Sequence, residues 1–277
     1  MDQPQGPTSV RSDRVRALRR LSQRSFRQQV RRFLAEGPQA VREAVAHRPD
    51  AVAEVFVADT ATDAAVAVAR AAQDAGIAVI TVAEDVLLAM TETVHPQGIA
   101  AVCTFLDRGA EELLADARLV VLLDRVRDPG NAGTILRAAD AAGADAVLFS
   151  TESVDVYNGK CVRSSVGSLF HVPVAVGAPA ADTMAAARDQ GLAVLAADAA
   201  GEVSLPEAGG LLARPAMWVF GNEAHGIADD VADWVDRRVS VPIYGQAESL
   251  NLATAAAVCL YASAFAQRGY AGGSDLS

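Results

Sequence analysis

Short apolar runs alternate along most of this chain with stretches in which apolar positions recur every three or four residues. Runs of the first kind read as strands and stretches of the second as helices. Val52–Ala58, Ile77–Val82 and Ile99–Phe105 are predicted strands. The alanine-rich Thr62–Ala75, ended by Gly76, and the short Glu84–Met90 are predicted helices between them. Upstream, Val15, Leu18, Leu21, Val30, Phe33 and Leu34 fall at roughly helical spacing. Ser12–Leu34 is therefore predicted as helix, with arginines on most of its other faces. Gly37-Pro38 punctuates the chain before another helical stretch, Gln39–His47.

The alternation resumes beyond Asp107–Asp116, a charged connector and the candidate domain boundary. Leu119–Leu123, Ala146–Phe149, Val172–Val176, Leu192–Ala196, Met217–Phe220 and Val239–Ile243 are predicted strands rich in Val and Leu. Leu250–Phe265 is a long closing helix. Strands buried on both faces and separated by helices form a parallel sheet, so the fold class is α/β. The expected division is a tail over 1–10, a small α/β domain over 11–107, a linker over 108–117, a larger α/β domain over 118–268 and a tail over 269–277. In a parallel sheet, ligands bind off the carboxyl ends of the strands, so the loops that follow the strands should carry the chemistry.

Composition changes the picture in two places. The net charge of −10 is unevenly spread: residues 1–50 hold eleven arginines against five acids, a balance of +6 that leaves the rest of the chain at −16. A basic arm on an acidic body suggests a polyanionic partner for the arm, with a solvated amphipathic helix as the plain alternative. Almost all the positive charge is arginine, whose planar fork can hold two phosphate oxygens, and Lys160 is the only lysine. Cys103, Cys161 and Cys259 are widely spaced and odd in number, forming neither a zinc pattern nor a disulfide framework. No metal is called for, and a reduced, cytoplasmic protein is expected. No apolar run reaches membrane-spanning length, and the start is polar and arginine-rich rather than signal-like.

Three loops stand out. After the strand ending at Asp124 comes Asp128-Pro-Gly-Asn131, with a helix predicted to begin near Asn131. Asn131 is a good N-cap, Gly133 allows close approach, and the amides of a first helical turn favour an anion. Arg137 lies less than two turns further on, so it and Asn131 can point toward the same end of the helix. The second loop, Phe220-Gly-Asn-Glu-Ala-His-Gly226, sets Glu223 between Gly221 and Gly226. A carboxylate there could accept from ribose hydroxyls or hold an arginine. His225 is in reach as a base but is read first as a loop histidine with no catalytic part. The third loop, Val241-Pro-Ile-Tyr-Gly-Gln-Ala-Glu-Ser-Leu-Asn251, brings Ser249 and Asn251 to the start of the last helix, where they can cap it and still face a ligand. Taken singly, each loop also reads as an ordinary capped connection.

Taken together and in this order, D-P-G-N-x-G-x-x-x-R, F-G-N-E-x-x-G and V-P-I-x-G-x-x-x-S-L-N resemble the three motifs of the SpoU (TrmH) family of SPOUT RNA 2′-O-ribose methyltransferases, over about residues 118–267. Phe33-Leu-Ala-Glu-Gly37 and His95-Pro-Gln-Gly-Ile-Ala100 are similar to landmarks of the L30e-like RNA-binding domain that precedes many of these enzymes.

The resemblance implies a C-terminal α/β domain tied in a deep trefoil knot, an exception to the rule that connections do not thread loops. It also implies S-adenosylmethionine as cofactor. The cofactor pocket would comprise the loop after Leu195, the Gly221 loop, the backbone around Val241 and Ile243, and Leu250. The family is homodimeric through the knotted domain, with Arg137 facing the cofactor of the partner chain. Arg137 is implied to activate the ribose hydroxyl. A guanidinium, with a pKa above about 12, rarely gives up its proton, so fixing a phosphate and stabilising the developing alkoxide suits it better. Glu223 and Asn131 would orient it, and Ser249 and Asn251 would complete the site. The more familiar glycine-loop methyltransferases need a G-x-G loop after their first strand, and the sequence has none there. Relatives acting on tRNA usually lack the L30e-like domain, so 23S ribosomal RNA is the expected substrate. A tRNA 2′-O-methyltransferase and a non-catalytic knotted ribosome-assembly factor remain as alternatives.

Overall fold

The computed structural model describes residues 9–93, 97–223, 226–227 and 229–269. Most of both expected tails, His95 and Pro96 of the second N-terminal landmark, and His225 lie outside the described residues. The chain divides into two compact units. Residues 1–106 with 157–171 make the first, and 107–156 with 172–277 the second.

In the first unit the elements are α1 (Asp13–Arg19), α2 (Arg24–Val30), β1 (Arg32–Glu36), α3 (Pro38–His47), β2 (Val52–Ala58), α4 (Asp63–Asp74), β3 (Val79–Val82), α5 (Glu84–Met90) and β4 (Ile99–Thr104). The sheet runs β1-β4-β2-β3; β4 is antiparallel to both its neighbours, and β2 and β3 are parallel. The single helix expected over Ser12–Leu34 is not what forms. Gln23 is extended, and Arg31 takes the left-handed conformation (φ 54°, ψ 42°) and ends α2. Phe33 and Leu34 then enter β1, paired with Cys103 and Val102. Four of the five residues of β1 are buried, so the strand shows no period-two alternation that would separate it from the helix before it. Val15, Leu18 and Leu21 do face the core as the spacing predicted, against Leu34, Phe56, Ile80 and Met90.

The second unit contains α6 (Ala110–Leu114), β5 (Leu119–Leu123), α7 (Pro129–Ala142) and β6 (Ala146–Ser150). The short helix α8 (Gly159–Ser164) interrupts it and packs with the first unit. There follow β7 (Val174–Ala178), α9 (Ala180–Asp189), β8 (Ala193–Ala197), β9 (Val203–Ser204), α10 (Gly209–Leu212), β10 (Ala216–Phe220), α11 (Asp229–Ala232), β11 (Arg237–Ser240) and α12 (Leu252–Gln267). The seven strands run β7-β6-β5-β10-β8-β11-β9, and every pairing is parallel, as the buried valine and leucine runs predicted. The charged stretch 107–116 holds more structure than a connector. Its α6 turns Leu113 and Leu114 into the core of this unit, beside Val120, Leu148 and Met184.

Two features tie the helices to this sheet. Trp218 of β10 is wholly buried and its indole N–H donates to Ser263 of α12 at 2.9 Å. α7 and α12 share a side-chain bond at their starts (Asn251 to Asn131) and another near their ends (Tyr261 to the Ala141 carbonyl), both across 120 residues of sequence. The equal offset means that the two helices run parallel and in step.

The segment 157–171 is held in the first unit by specific contacts. Tyr157 stacks on Phe105 with ring centroids 3.9 Å apart and lies 4.8 Å from Phe33, and its hydroxyl accepts from the Leu106 N–H at 2.7 Å. Arg163 donates to the buried carboxylate of Glu36 at 3.2 Å, across 127 residues of sequence. Glu36 also accepts from the backbone N–H groups of Glu92 and Thr93.

Candidate active site

Strands β5, β10, β8 and β11 are neighbours and parallel, so the loops leaving their carboxyl ends open on one edge of the sheet. Those loops are the three singled out in the sequence, together with the one after β8. An edge of this kind is where an open α/β sheet holds a ligand.

A continuous row of hydrogen bonds joins the three loops. The Asn251 side-chain amide donates to Oδ1 of Asn131 at 3.0 Å, and the Asn131 amide donates to Oε1 of Glu223 at 3.2 Å. Glu223 also accepts from the backbone N–H groups of Arg127 and Asp128, each at 3.2 Å. Burial alone would raise the Glu223 pKa. The hydrogen bonds from its own loop backbone, from Asn131 and from the Arg127 and Asp128 amides outweigh it, so the carboxyl is held below the ordinary 4.5. Glu223 is therefore a carboxylate at neutral pH, and its negative charge is fixed at the first turn of α7.

Asn131 does not cap that helix. Asp128 does, its carboxylate accepting from the Asn131 N–H at 2.8 Å, with Pro129 in the first helical position. Proline there loses no hydrogen bond and is already bent for the helix. Relieved of capping, the Asn131 side chain is free to bridge Glu223 and Asn251. Asn251 does cap α12, its Oδ1 accepting from Ala253 and Thr254 at 2.9 and 3.3 Å while its amide reaches Asn131. Gly133 is buried on α7.

Gly221 is a positional requirement. A Cβ there would fall on the Gly226 carbonyl group and 2.8 Å from the Ile227 nitrogen. The close approach lets Asn222 and Gly226 exchange two backbone hydrogen bonds, at 2.9 and 2.8 Å. Asn222, not singled out from the sequence, donates its side-chain amide to the Arg125 carbonyl at 2.9 Å and ties this loop to the one after β5. Its place between Gly221 and Glu223 is the signal that could have marked it. Gly201, after β8, is a second bare backbone position: a Cβ would sit 2.7 Å from the Ser240 nitrogen and from the Val239 carbonyl carbon at the end of β11.

The other expected residues are placed as follows. Leu195 is completely buried in the middle of β8, paired with Trp218 and Arg237, so it is part of the wall behind the edge. Val241 is half-buried, while Ile243 and Leu250 are exposed at 37% and 36%. Ser249 is exposed and bonds to no described residue. Arg137 is exposed on α7, and its side chain likewise makes no hydrogen bond or ion pair with a described residue. The structure thus brings Asn131, Glu223 and Asn251 into one bonded set and leaves Arg137 and Ser249 outside it.

Residues 118–261 match the SpoU rRNA Methylase family, and residues 12–101 match the MRM3-like substrate binding domain. The chain is 42% identical over 176 residues to the Bacillus subtilis 23S rRNA (guanosine(2553)-2′-O)-methyltransferase RlmP, covering 62% of this chain and 67% of that one. It is 38% identical over 148 residues to the Streptomyces viridochromogenes 23S rRNA (uridine(2479)-2′-O)-methyltransferase, covering 52% of this chain and 51% of that protein. The match thus spans from about half to two thirds of these relatives. Among solved structures, the AdoMet-bound rRNA methyltransferase from Sinorhizobium meliloti superposes with a TM-score of 0.82 at 29% identity, over 98% of this chain and all of that one. The SpoU methyltransferase AviRb from Streptomyces viridochromogenes, in complex with the cofactor AdoMet, gives 0.80 at 28% identity, over 95% and 100%. With the family match spanning more than half of its length, and the three motif loops gathered on one sheet edge, the chain belongs to the SpoU rRNA methylase family.

Proposed function

We propose that this chain methylates a ribose 2′-hydroxyl of 23S ribosomal RNA, using S-adenosylmethionine. The observation that carries the reading is the row Asn251–Asn131–Glu223, which unites the three motif loops at the carboxyl edge of the sheet. The relatives named above act on 23S RNA at the 2′-oxygen, and two of the solved neighbours hold AdoMet. Family membership also implies the deep trefoil knot.

The residues present fit the cofactor. Gly221 and Gly201 let the loops after β10 and β8 pack directly on neighbouring backbone, which shapes the edge, and Ile243 and Leu250 are exposed apolar side chains in the loop after β11. The loop after Leu195, the Gly221 loop, the Val241–Ile243 backbone and Leu250 would hold it. When bound, S-adenosylmethionine supplies an electrophilic methyl group. The protein's own task is to align the 2′-oxygen with that group and favour loss of its proton. Arg137 serves the second end as a permanent cation: it fixes a phosphate beside the target ribose and stabilises the developing alkoxide. Glu223 and Asn131 keep the start of α7 in place beneath it, and Ser249 and Asn251 complete the rim.

The site is proposed to be shared between two copies of the chain. α12 has no charged residue from Leu252 to Gln267, yet Val258, Tyr261 and Phe265 are exposed at 40%, 39% and 51% along one face. A helix apolar all round is built to be covered. Because α7 and α12 run in step, Arg137 lies level with Ala257 along the helix pair. A second copy seated there would bring its own cofactor loops toward Arg137.

The first unit is proposed to select the RNA, where shape and phosphate contacts dominate recognition. Exposed Arg19, Arg20, Arg24, Arg31 and Arg32 supply the basic surface. Not every arginine of the arm is available. Arg27 is 2% exposed, its guanidinium donating to the Leu21 and Ser22 carbonyls at 2.7 and 2.8 Å, and Arg14 pairs with Glu54. The three buried free cysteines fit a cytoplasmic place, and no helix among the described residues is long and apolar enough to cross a membrane.

The test is transfer of labelled methyl from S-adenosylmethionine to total RNA from cells lacking the protein, followed by fractionation and 2′-O-methyl mapping. Label at one ribose of 23S RNA is expected. Label in tRNA would keep the chemistry and overturn the substrate. No label in any RNA, with cofactor bound, would favour the assembly-factor alternative.

A further inference from the structure

In the first unit, three metal-ligating side chains converge. Glu43 and His47 stand one helical turn apart on the same face of α3, and His171 closes the short 3₁₀ turn Ser168–Phe170. The donor atoms of the three lie within 4.8 Å of one another. Oε2 of Glu43 is 3.4 Å from Nε2 of His47 and 3.2 Å from Nε2 of His171, and the two imidazoles meet edge to face with centroids 4.3 Å apart. We propose that Glu43, His47 and His171 form a zinc site that clasps the 157–171 segment to α3.

The distances and the donor chemistry both point to zinc. Zinc takes imidazole nitrogen and carboxylate oxygen at about 2.0–2.2 Å in a tetrahedron, which sets its ligand atoms about 3.3 Å apart. The two glutamate–histidine separations already have that value; the exposed imidazoles close the remaining pair by turning about their side-chain bonds. Two histidines and one glutamate fill three positions, and water takes the fourth because the site opens to solvent. Hard oxygen-seeking ions such as magnesium would not favour a set with two imidazoles.

The carboxylate is also held as a ligand's would be. Its other oxygen, Oε1, accepts from Gln39 Nε2 and Arg42 Nη2, both at 2.9 Å, leaving Oε2 directed at the two histidines. Partners of this outer kind fix a ligand's orientation. The Arg42 charge opposes a cation but is bonded to the oxygen on the far side. Gly167 makes the convergence sterically feasible. It has φ +99°, and a Cβ there would fall on the Glu43 side chain, 2.7 Å from its Cβ. A side chain at 167 would push Glu43 away from His171, so a glycine and an outer hydrogen-bond set independently serve the same three donors. Glu43 and His171 are 128 residues apart in sequence, and the metal would add a cross-link to the Tyr157 stack and the Arg163–Glu36 pair that hold the same segment.

The experiment uses the full, untagged chain stripped with chelator, titrated with zinc by calorimetry and with cobalt(II) by visible absorption. One equivalent of zinc is expected, with a rise in Tm, and cobalt should give the absorption of a tetrahedral complex. His47→Ala and His171→Ala should each abolish both signals while leaving S-adenosylmethionine binding unchanged. Should either variant fold poorly, Gln39→Ala, which removes only an outer partner, should weaken zinc binding by about 10–100-fold. Absence of saturable zinc binding to the wild-type chain, or undiminished binding to a His47→Ala/His171→Ala double variant, would overturn the proposal.

Discussion

Replacing Gly221 by alanine tests the link between one backbone contact and the whole candidate site. The added Cβ would fall on the Gly226 carbonyl group and 2.8 Å from the Ile227 nitrogen, so one strand of the loop must move. The movement separates Asn222 from Gly226 and endangers their two backbone hydrogen bonds. At about 0.5–1.5 kcal/mol for each bond, the loss is about 1–3 kcal/mol, with overpacking strain of comparable size beside it. Taking about 4 kcal/mol as the middle of that combined range, Tm should fall by about 8–16 °C for a unit of this size. Cofactor affinity should fall with it, because the displaced loop carries Glu223 and the Asn222 tie to Arg125. The assay is thermal unfolding of Gly221→Ala beside Gly209→Ala, with calorimetric titration of S-adenosylmethionine into each. Gly209 opens α10 with nothing within 4 Å of its would-be Cβ, so alanine there should leave Tm unchanged or slightly raised. A Gly221→Ala protein that melted and bound cofactor as Gly209→Ala does would refute the steric reasoning.

Three further expectations follow from particular side chains. Arg137→Ala should lower methyl transfer by about 10²–10³-fold, the usual effect of removing a charge-stabilising donor, with cofactor binding and elution volume unchanged. Near-normal transfer in single-turnover assays would remove Arg137 from the mechanism. Arg27→Leu should lower Tm, because it strands the Leu21 and Ser22 carbonyls at about 1–3 kcal/mol. Arg24→Ala, at an exposed position, should instead leave Tm alone and reduce the salt dependence of RNA binding; equal behaviour of the two in a melt would contradict the division of the arm. Burial pushes the Cys103 and Cys259 thiols up to about 12, so both stay protonated through neutral and mildly alkaline pH. Neither should react with a thiolate-selective reagent at pH 8 until denaturant is added, which counting modified cysteines by mass would check.

Much of this protein could be read from the order of its residues. The parallel sheet was legible because its strands are buried on both faces, giving continuous apolar runs such as Leu119–Leu123 and Ala216–Phe220 that need no knowledge of their neighbours. The family was legible because loop chemistry is local: Pro129, Gly221 and Asn251 each answer to a backbone requirement within a few residues. Where the signal depended on distant partners, local reading failed. β1 reads locally as the end of a helix because its burial comes from β4 and the core above it, and Asn131 reads locally as the cap that Asp128 supplies. The row from Asn251 through Asn131 to Glu223 spans gaps of 120 and 92 residues, and no spacing rule connects them. The same holds for the capture of residues 157–171 by the first unit and for the meeting of Glu43 with His171. Sequence determines which groups sit at the end of each element, because capping, glycine conformation and apolar runs are short-range. Tertiary structure alone decides which of those ends meet, because strand order is set by the burial of the whole sheet.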